Sequence, residues 1–246
     1  MSLTRKLIVT AALAAMPFAT LAQDAASIVD RNGDQQRRIE QGLRTGDLSV
    51  QEAARLEREA ARVNQIESRA LRDGTLTDAE RARIDRAQDH LGRDIARERH
   101  DAERGDPNSP SSRRMQADVQ RNIYQQERIE QGLRSGQLTN REAARLEHGQ
   151  ARIYGMEARA AADGHVSGHE QRRIQQAENV QSRRIYQERH DRQTRHDDVR
   201  RDQRFRHGGD QHTVAGHRHE GGFRSNAQAR PIQHQTYAQA GRRHAR

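Results

Sequence analysis

Large apolar residues recur along this chain at steps of three and four and never alternate with polar ones, a pattern that is helical throughout. Ile39 and Leu43 stand one turn apart. Leu56, Ala60, Val63, Ile66 and Ala70 form a longer stripe, and Ile84, Ala87, Leu91 and Ile95 form a third. The three stripes then return, as Ile129 with Leu133, as Leu146, Ile153, Met156 and Ala160, and as Ile174, Ala177 and Ile185. The periodicity predicts three helices in each half, the second and third of about 20 residues or more.

The return of the stripes reflects a duplication. Residues 29–102 align without a gap on residues 119–192, an offset of 90, with about half of the positions identical. "RIEQGLRTGDLSVQEAARLE" from Arg38 meets "RIEQGLRSGQLTNREAARLE" from Arg128, and "ERHD" from Glu98 meets "ERHD" from Glu188. The expected fold is all-α, with two tandem copies of a three-helix unit over residues 23–104 and 113–194. Pro107, Pro110 and the polar residues around them mark 105–112 as a flexible connector. Residues 195–246, with Gly pairs, Pro231 and scattered His, have the composition of a disordered tail.

Four corners share one signature: a Gly, an apolar residue two places on, then Ser or Thr, then Glu three further. They begin at Gly46, Gly74, Gly136 and Gly164 and end at Glu52, Glu80, Glu142 and Glu170. A calcium loop would place oxygen ligands ahead of the Gly, at loop positions 1, 3 and 5. Those positions hold Gln41, Leu43 and Thr45, Arg69, Leu71 and Asp73, Gln131, Leu133 and Ser135, and Arg159, Ala161 and Asp163, a set too poor in carboxylates. "DRNGDQ" from Asp30 has the opening spacing but lacks the Gly and the closing Glu. The signature predicts architecture instead. A left-handed Gly closes one helix, Ser49, Thr77, Thr139 or Ser167 caps the next, and the Glu completes a capping box.

Residues 1–22 carry Arg5 and Lys6, then an apolar run containing Pro17 and ending in small residues, which predicts a cleavable export signal with its cut after Ala22. The run is shorter than the roughly 20 residues of a membrane span. The expected location is therefore exported, periplasmic or secreted, and not membrane-spanning. No cysteine is present, so thiolate catalysis, zinc-thiolate sites and disulfides are excluded. Aromatic residues make up 3% of the chain and Trp is absent, too little to fill a large core. One copy alone should be marginal, and packing of the copies on each other, or self-association, is the expected remedy. Most of the net charge of +9 belongs to the tail, because residues 195–246 hold eleven Arg against five acidic residues while the rest of the mature chain is nearly balanced.

Candidate chemistry rests on histidine. Eight of the thirteen lie from His190 onward, and His207, His212, His217 and His219 stand on a Gly-rich stretch able to gather around copper, nickel or zinc. His165 and His169, beside Asp163 and Glu170, are a weaker candidate pair and are peculiar to the second copy. No nucleophile elbow, phosphate loop, dinucleotide fingerprint or H-E-x-x-H occurs, and the carboxylates read as spread along polar faces beside arginine, so no catalysis is expected. The few aromatics are too scattered for a stacking platform, which argues against specific nucleic-acid recognition. The Arg-rich tail can hold polyanions or an anionic surface by charge.

At "RIEQGLRSGQLTNREAARLE" and at "RIYQERHD" from Arg184, the chain resembles exported bacterial helical-repeat proteins. The resemblance covers both copies but not the tail, and it implies export and helical repeats without an activity. Two functional classes follow: a periplasmic metal-binding or stress protein acting through the tail, or a structural or interaction module acting through coiled-coil-like helices.

Overall fold

The computed structural model describes residues 18–191, and all regular structure among them is helical. The helices are α1 (Phe18–Thr45), α2 (Val50–Ala70), α3 (Asp78–Arg99), α4 (Pro110–Ser135), α5 (Asn140–Ala160) and α6 (Gly168–His190). No helix among the described residues is long and apolar enough to cross a membrane. The expected leader falls mostly outside the described residues, and α1 begins at Phe18, ahead of the expected cut. The tail over 195–246 lies outside them altogether.

All four corners are built as capping boxes. At the first, the Glu52 N–H donates to Ser49 Oγ at 3.2 Å, and the Ser49 N–H donates to Glu52 Oε2 at 2.7 Å. The four glycines have positive φ, between 74° and 92°. Their roles differ, however. Gly46 and Gly136 directly follow α1 and α4, as a left-handed helix stop requires. Gly74 and Gly164 stand further out, because α2 and α5 end at Ala70 and Ala160 and a further turn follows before the glycine, whose N–H bonds to Leu71 or Ala161.

The two copies are interlocked rather than set side by side as separate three-helix bodies. The most extensive helix pairings are α1 with α4 and α2 with α5, each joining equivalent helices of the two copies. Both pairs run antiparallel. Along α1 and α4, Asp30 faces Arg134 at 3.6 Å, Arg37 meets Glu127 at 3.0 Å, and Gln116 reaches the Leu43 carbonyl at 3.4 Å. Along α2 and α5, Asn64 meets Glu147 at 2.8 Å, and Asn140 at the start of α5 donates to the Gly74 carbonyl at 3.1 Å. Helices α3 and α6 flank this centre, each packed on the first two helices of its own copy.

Two apolar clusters result, and each draws on both copies. One combines Ile39, Leu43, Leu56, Leu91 and Ile95 with Met115, Val119 and Ile153. The other combines Val29, Leu71 and Ile84 with Ile129, Leu133, Leu146 and Ile185. Sharing residues in this way answers the shortage of large side chains in a single copy. The connector is also engaged: the Gly105 N–H donates to the Gly46 carbonyl at 3.0 Å, and a Cβ on Gly105 would collide with the Leu48 carbonyl. Helix α4 starts at Pro110, inside the stretch expected to be flexible, because proline at the first helical position gives up an N–H that has no intrahelical acceptor.

The caps should be purely structural. T77A and T139A should each lower stability by about 0.5–2 kcal/mol in chemical denaturation. The loss should be larger for T139A, where both Thr139 and its partner Glu142 are buried. Equal stability of T139A and the parent chain would remove the capping box from the account of these corners.

Candidate functional site

Among the apolar residues of the two clusters runs a belt of buried polar side chains, which corrects the expectation that the carboxylates line polar faces. Glu57, Glu67, Glu147 and Glu157, two each from α2 and α5, are fully buried at 0% exposure. Amides on α1 and α4 serve them. Asn32 Nδ2 donates to Glu67 at 2.7 Å, Asn122 Nδ2 to Glu157 at 2.9 Å, Gln36 Nε2 to Glu57 at 3.1 Å and Gln126 Nε2 to Glu147 at 3.2 Å. Every one of these pairs recurs at the 90-residue offset.

Burial favours the uncharged form of these acids. It pushes Glu57 up to about 8 and Glu147 up to about 7. Glu67 and Glu157 are raised well above the ordinary carboxylate value, first by burial and then by repulsion from Glu147 and Glu57 respectively. The hydrogen-bond pattern agrees. Glu57 Oε1 and Gln36 Oε1 are both buried without a partner, as are Glu147 Oε1 and Gln126 Oε1. A proton on each carboxyl supplies a donor to a site that otherwise holds only surplus acceptors.

The second copy adds acids of its own. Where the first copy has Ile28 and Gln88, the second has Asp118 and Glu178, pushed up by burial to about 7 and about 8. Arg121 approaches Glu178 Oε2 at 3.3 Å from the solvent side. Tyr154 replaces Asn64, and its fully buried hydroxyl accepts from Gln126 Nε2 at 3.1 Å.

The outer side of α2 and α5 has the opposite character. Its exposed positions are Gln51, Arg55, Arg58, Arg62, Gln65 and Arg69 on α2, and Arg145, His148, Arg152 and Arg159 on α5, with no exposed carboxylate on either helix. Arg55 and Arg145 are tied down, to Glu98 at 2.9 Å and to Glu188 at 3.0 Å. Arg58, Arg62, Arg152 and Arg159 line a shallow groove of about 420 Å³ along the seam between the two helices and make no ion pair among the described residues. Arg and acidic residues are equal in number over residues 24–191. Because the acids of the belt are buried, the balance read from the sequence is not what solvent meets.

Three smaller groups of potential ligands are exposed to varying degrees. Glu52, Glu98 and Asp101, and their equivalents Glu142, Glu188 and Asp191, gather around Arg55 and Arg145, which supply their counter-charge. The third group, Glu59, His90 and Asp94, joins α2 to α3. His90 Nδ1 lies 2.9 Å from Asp94 Oδ2 and 3.7 Å from Glu59 Oε2, while Arg97 binds Asp94 Oδ1 at 2.6 Å. Burial, then the neighbouring Asp94, raises the Glu59 pKa. Asp94 is lowered against the upward push of its own burial, by hydrogen bonds with Glu59 and Arg97.

The structure does not bring the histidines singled out in the sequence into such a group. His165 Nδ1 lies 3.2 Å from Ser111 Oγ, His169 is exposed on the first turn of α6, and neither joins a cluster of ligand atoms among the described residues. His207, His212, His217 and His219 lie outside the described residues. Sequence reasoning misses the Glu59 group because Glu59 is 31 residues from His90 and on another helix; the available signal is His90 and Asp94 at i,i+4 on one face. No known protein family matches the chain, and neither the curated proteins nor the solved structures include a detectably similar one.

A carboxyl whose pKa is higher in the folded than in the unfolded chain binds extra protons only in the fold, so its contribution is full at low pH and is lost as pH rises. For the belt the loss begins near the ordinary value of 4.5 and runs to about 8 at Glu57. The thermal midpoint should therefore fall steadily between about pH 5 and about pH 8. The double variant E57Q/E147Q, which cannot titrate at these positions, should flatten that slope. An identical slope in variant and parent would show that these two groups are ionised in the fold.

Proposed function

We propose that this is a non-catalytic exported protein that binds a sulfated or phosphorylated polyanion along the α2/α5 seam. The observation that carries the reading is the segregation of charge on these two helices, with carboxyls inward and guanidiniums outward. Four arginines in the seam groove lack a carboxylate partner among the described residues. A guanidinium presents a planar fork of donors that matches a phosphate or sulfate in two-point contact. A row of them suits a polymer better than a single small anion, because a shallow groove cannot enclose a ligand. The Arg-rich tail adds charge of the same sign, and an exported protein meets lipopolysaccharide, anionic lipid and released nucleic acid.

Heparin and single-stranded DNA are suitable probes. The full chain should bind both, with an affinity that falls steeply as salt is added. The quadruple variant R58Q/R62Q/R152Q/R159Q should elute from heparin at lower salt. It should also reduce the slope of log affinity against log salt by about one for each arginine that touches a charge. An unchanged slope would leave the tail as the sole anion-binding element and end the reading for the folded body.

A further inference from the structure

We propose that Glu59, His90 and Asp94 form a binding site for a divalent metal ion of the zinc class on the α2/α3 face. This goes beyond polyanion binding and does not depend on it. The ligand atoms all lie within 4.8 Å of one another, a spacing that a small side-chain adjustment would close onto one ion. One imidazole and two carboxylates make a donor set that suits zinc, cobalt(II) or nickel(II). Three protein ligands leave room for water at a fourth position. His90 and Asp94 stand at i,i+4 on α3 and Glu59 comes from α2, so all three side chains start from rigid helices rather than a loop.

Two further observations point to a ligand. Glu59 Oε2 is a buried atom on a side chain that is 30% exposed, and it faces His90 Nδ1 at 3.7 Å, beyond hydrogen-bond reach. Asp94 is itself 4% exposed, and Arg97 holds its carboxylate by Oδ1, which leaves Oδ2 turned toward His90. The second copy then serves as an internal control. Its equivalent positions are Gly149, Val180 and Arg184, and α5 packs on α6 as α2 packs on α3. Packing of this helix pair therefore does not need a Glu, a His and an Asp at these places. All three ligand positions differ between copies that agree at about half of their residues.

The test uses the full chain, with His207, His212, His217 and His219 changed to Asn so that the tail does not obscure the result. Zinc titration against a competing chelator should show one equivalent bound to this chain, and cobalt(II) should give a visible absorption band from the same stoichiometry. H90N, at an exposed position, and the triple variant E59G/H90V/D94R, which installs the residues of the second copy, should each weaken zinc binding at least about tenfold. Their helical circular dichroism should be unchanged. Retention of the equivalent in both variants would place the metal elsewhere, and no bound zinc in the tail-substituted parent would overturn the site. Because the readout is metal stoichiometry, loss of heparin binding in the arginine variant would leave this inference untouched.

Discussion

The interior of this bundle depends on keeping carboxyl groups uncharged where two antiparallel helix pairs meet. A buried carboxylate without a counter-ion costs far more than a small core can supply, and protonation removes most of that cost. Each neutral acid then needs a donor for its carbonyl oxygen and an acceptor for its proton. The amides of Asn32, Gln36, Asn122 and Gln126 stand where that demand arises. The arrangement also fixes the register of α2 on α5. Sliding one helix by a turn would leave Asn64 and Glu147 without each other. Apolar packing alone tolerates such a shift far better than a hydrogen-bonded belt does.

The belt explains why the outside is basic. On α2 and α5 every carboxylate except Glu59 is buried, and Arg58, Arg152 and Arg159 have no carboxylate one turn away on their own helix. Charge equality along the chain thus coexists with a cationic seam. The corners share in this: Glu52 and Glu142 are buried because they turn back to their caps, and Arg55 and Arg145 bridge them to Glu98 and Glu188 on the neighbouring helix.

The helices, the duplication and the capping boxes were all legible in the sequence because each is a local pattern. The interlocking was not, since two copies with the same apolar stripe leave open which stripe packs on which. Nor was the burial of the acids, although a signal existed. Ala53, Glu57, Ala60, Asn64, Glu67 and Leu71 step by four and three down one side of α2, and all are buried. Ala143, Glu147, Gln150, Tyr154, Glu157 and Ala161 do the same on α5. Counting only Leu, Ile, Val and Ala as core residues shifts the perceived face and hides this ladder. Positions where both copies keep a Glu in line with alanines are the trace of the belt.

A single chain made of two equivalent halves has a freedom that a symmetric pair of separate chains lacks. Asn64 and Tyr154 occupy equivalent places on helices that face each other. In a symmetric pair the two places would carry one residue type, either two bulky phenols or two short amides. With both halves in one chain, Tyr154 fills space and bonds Gln126, while Asn64 reaches across to Glu147. Divergence of this kind costs little at the flanks, where α3 and α6 each touch chiefly their own copy. There the first copy carries His90 and Asp94, which meet Glu59 of α2, while the second carries the buried Glu178, which faces the buried Asp118 of α4. The belt holds the two halves to a common frame, and the flanking helices are where they are free to acquire different chemistry.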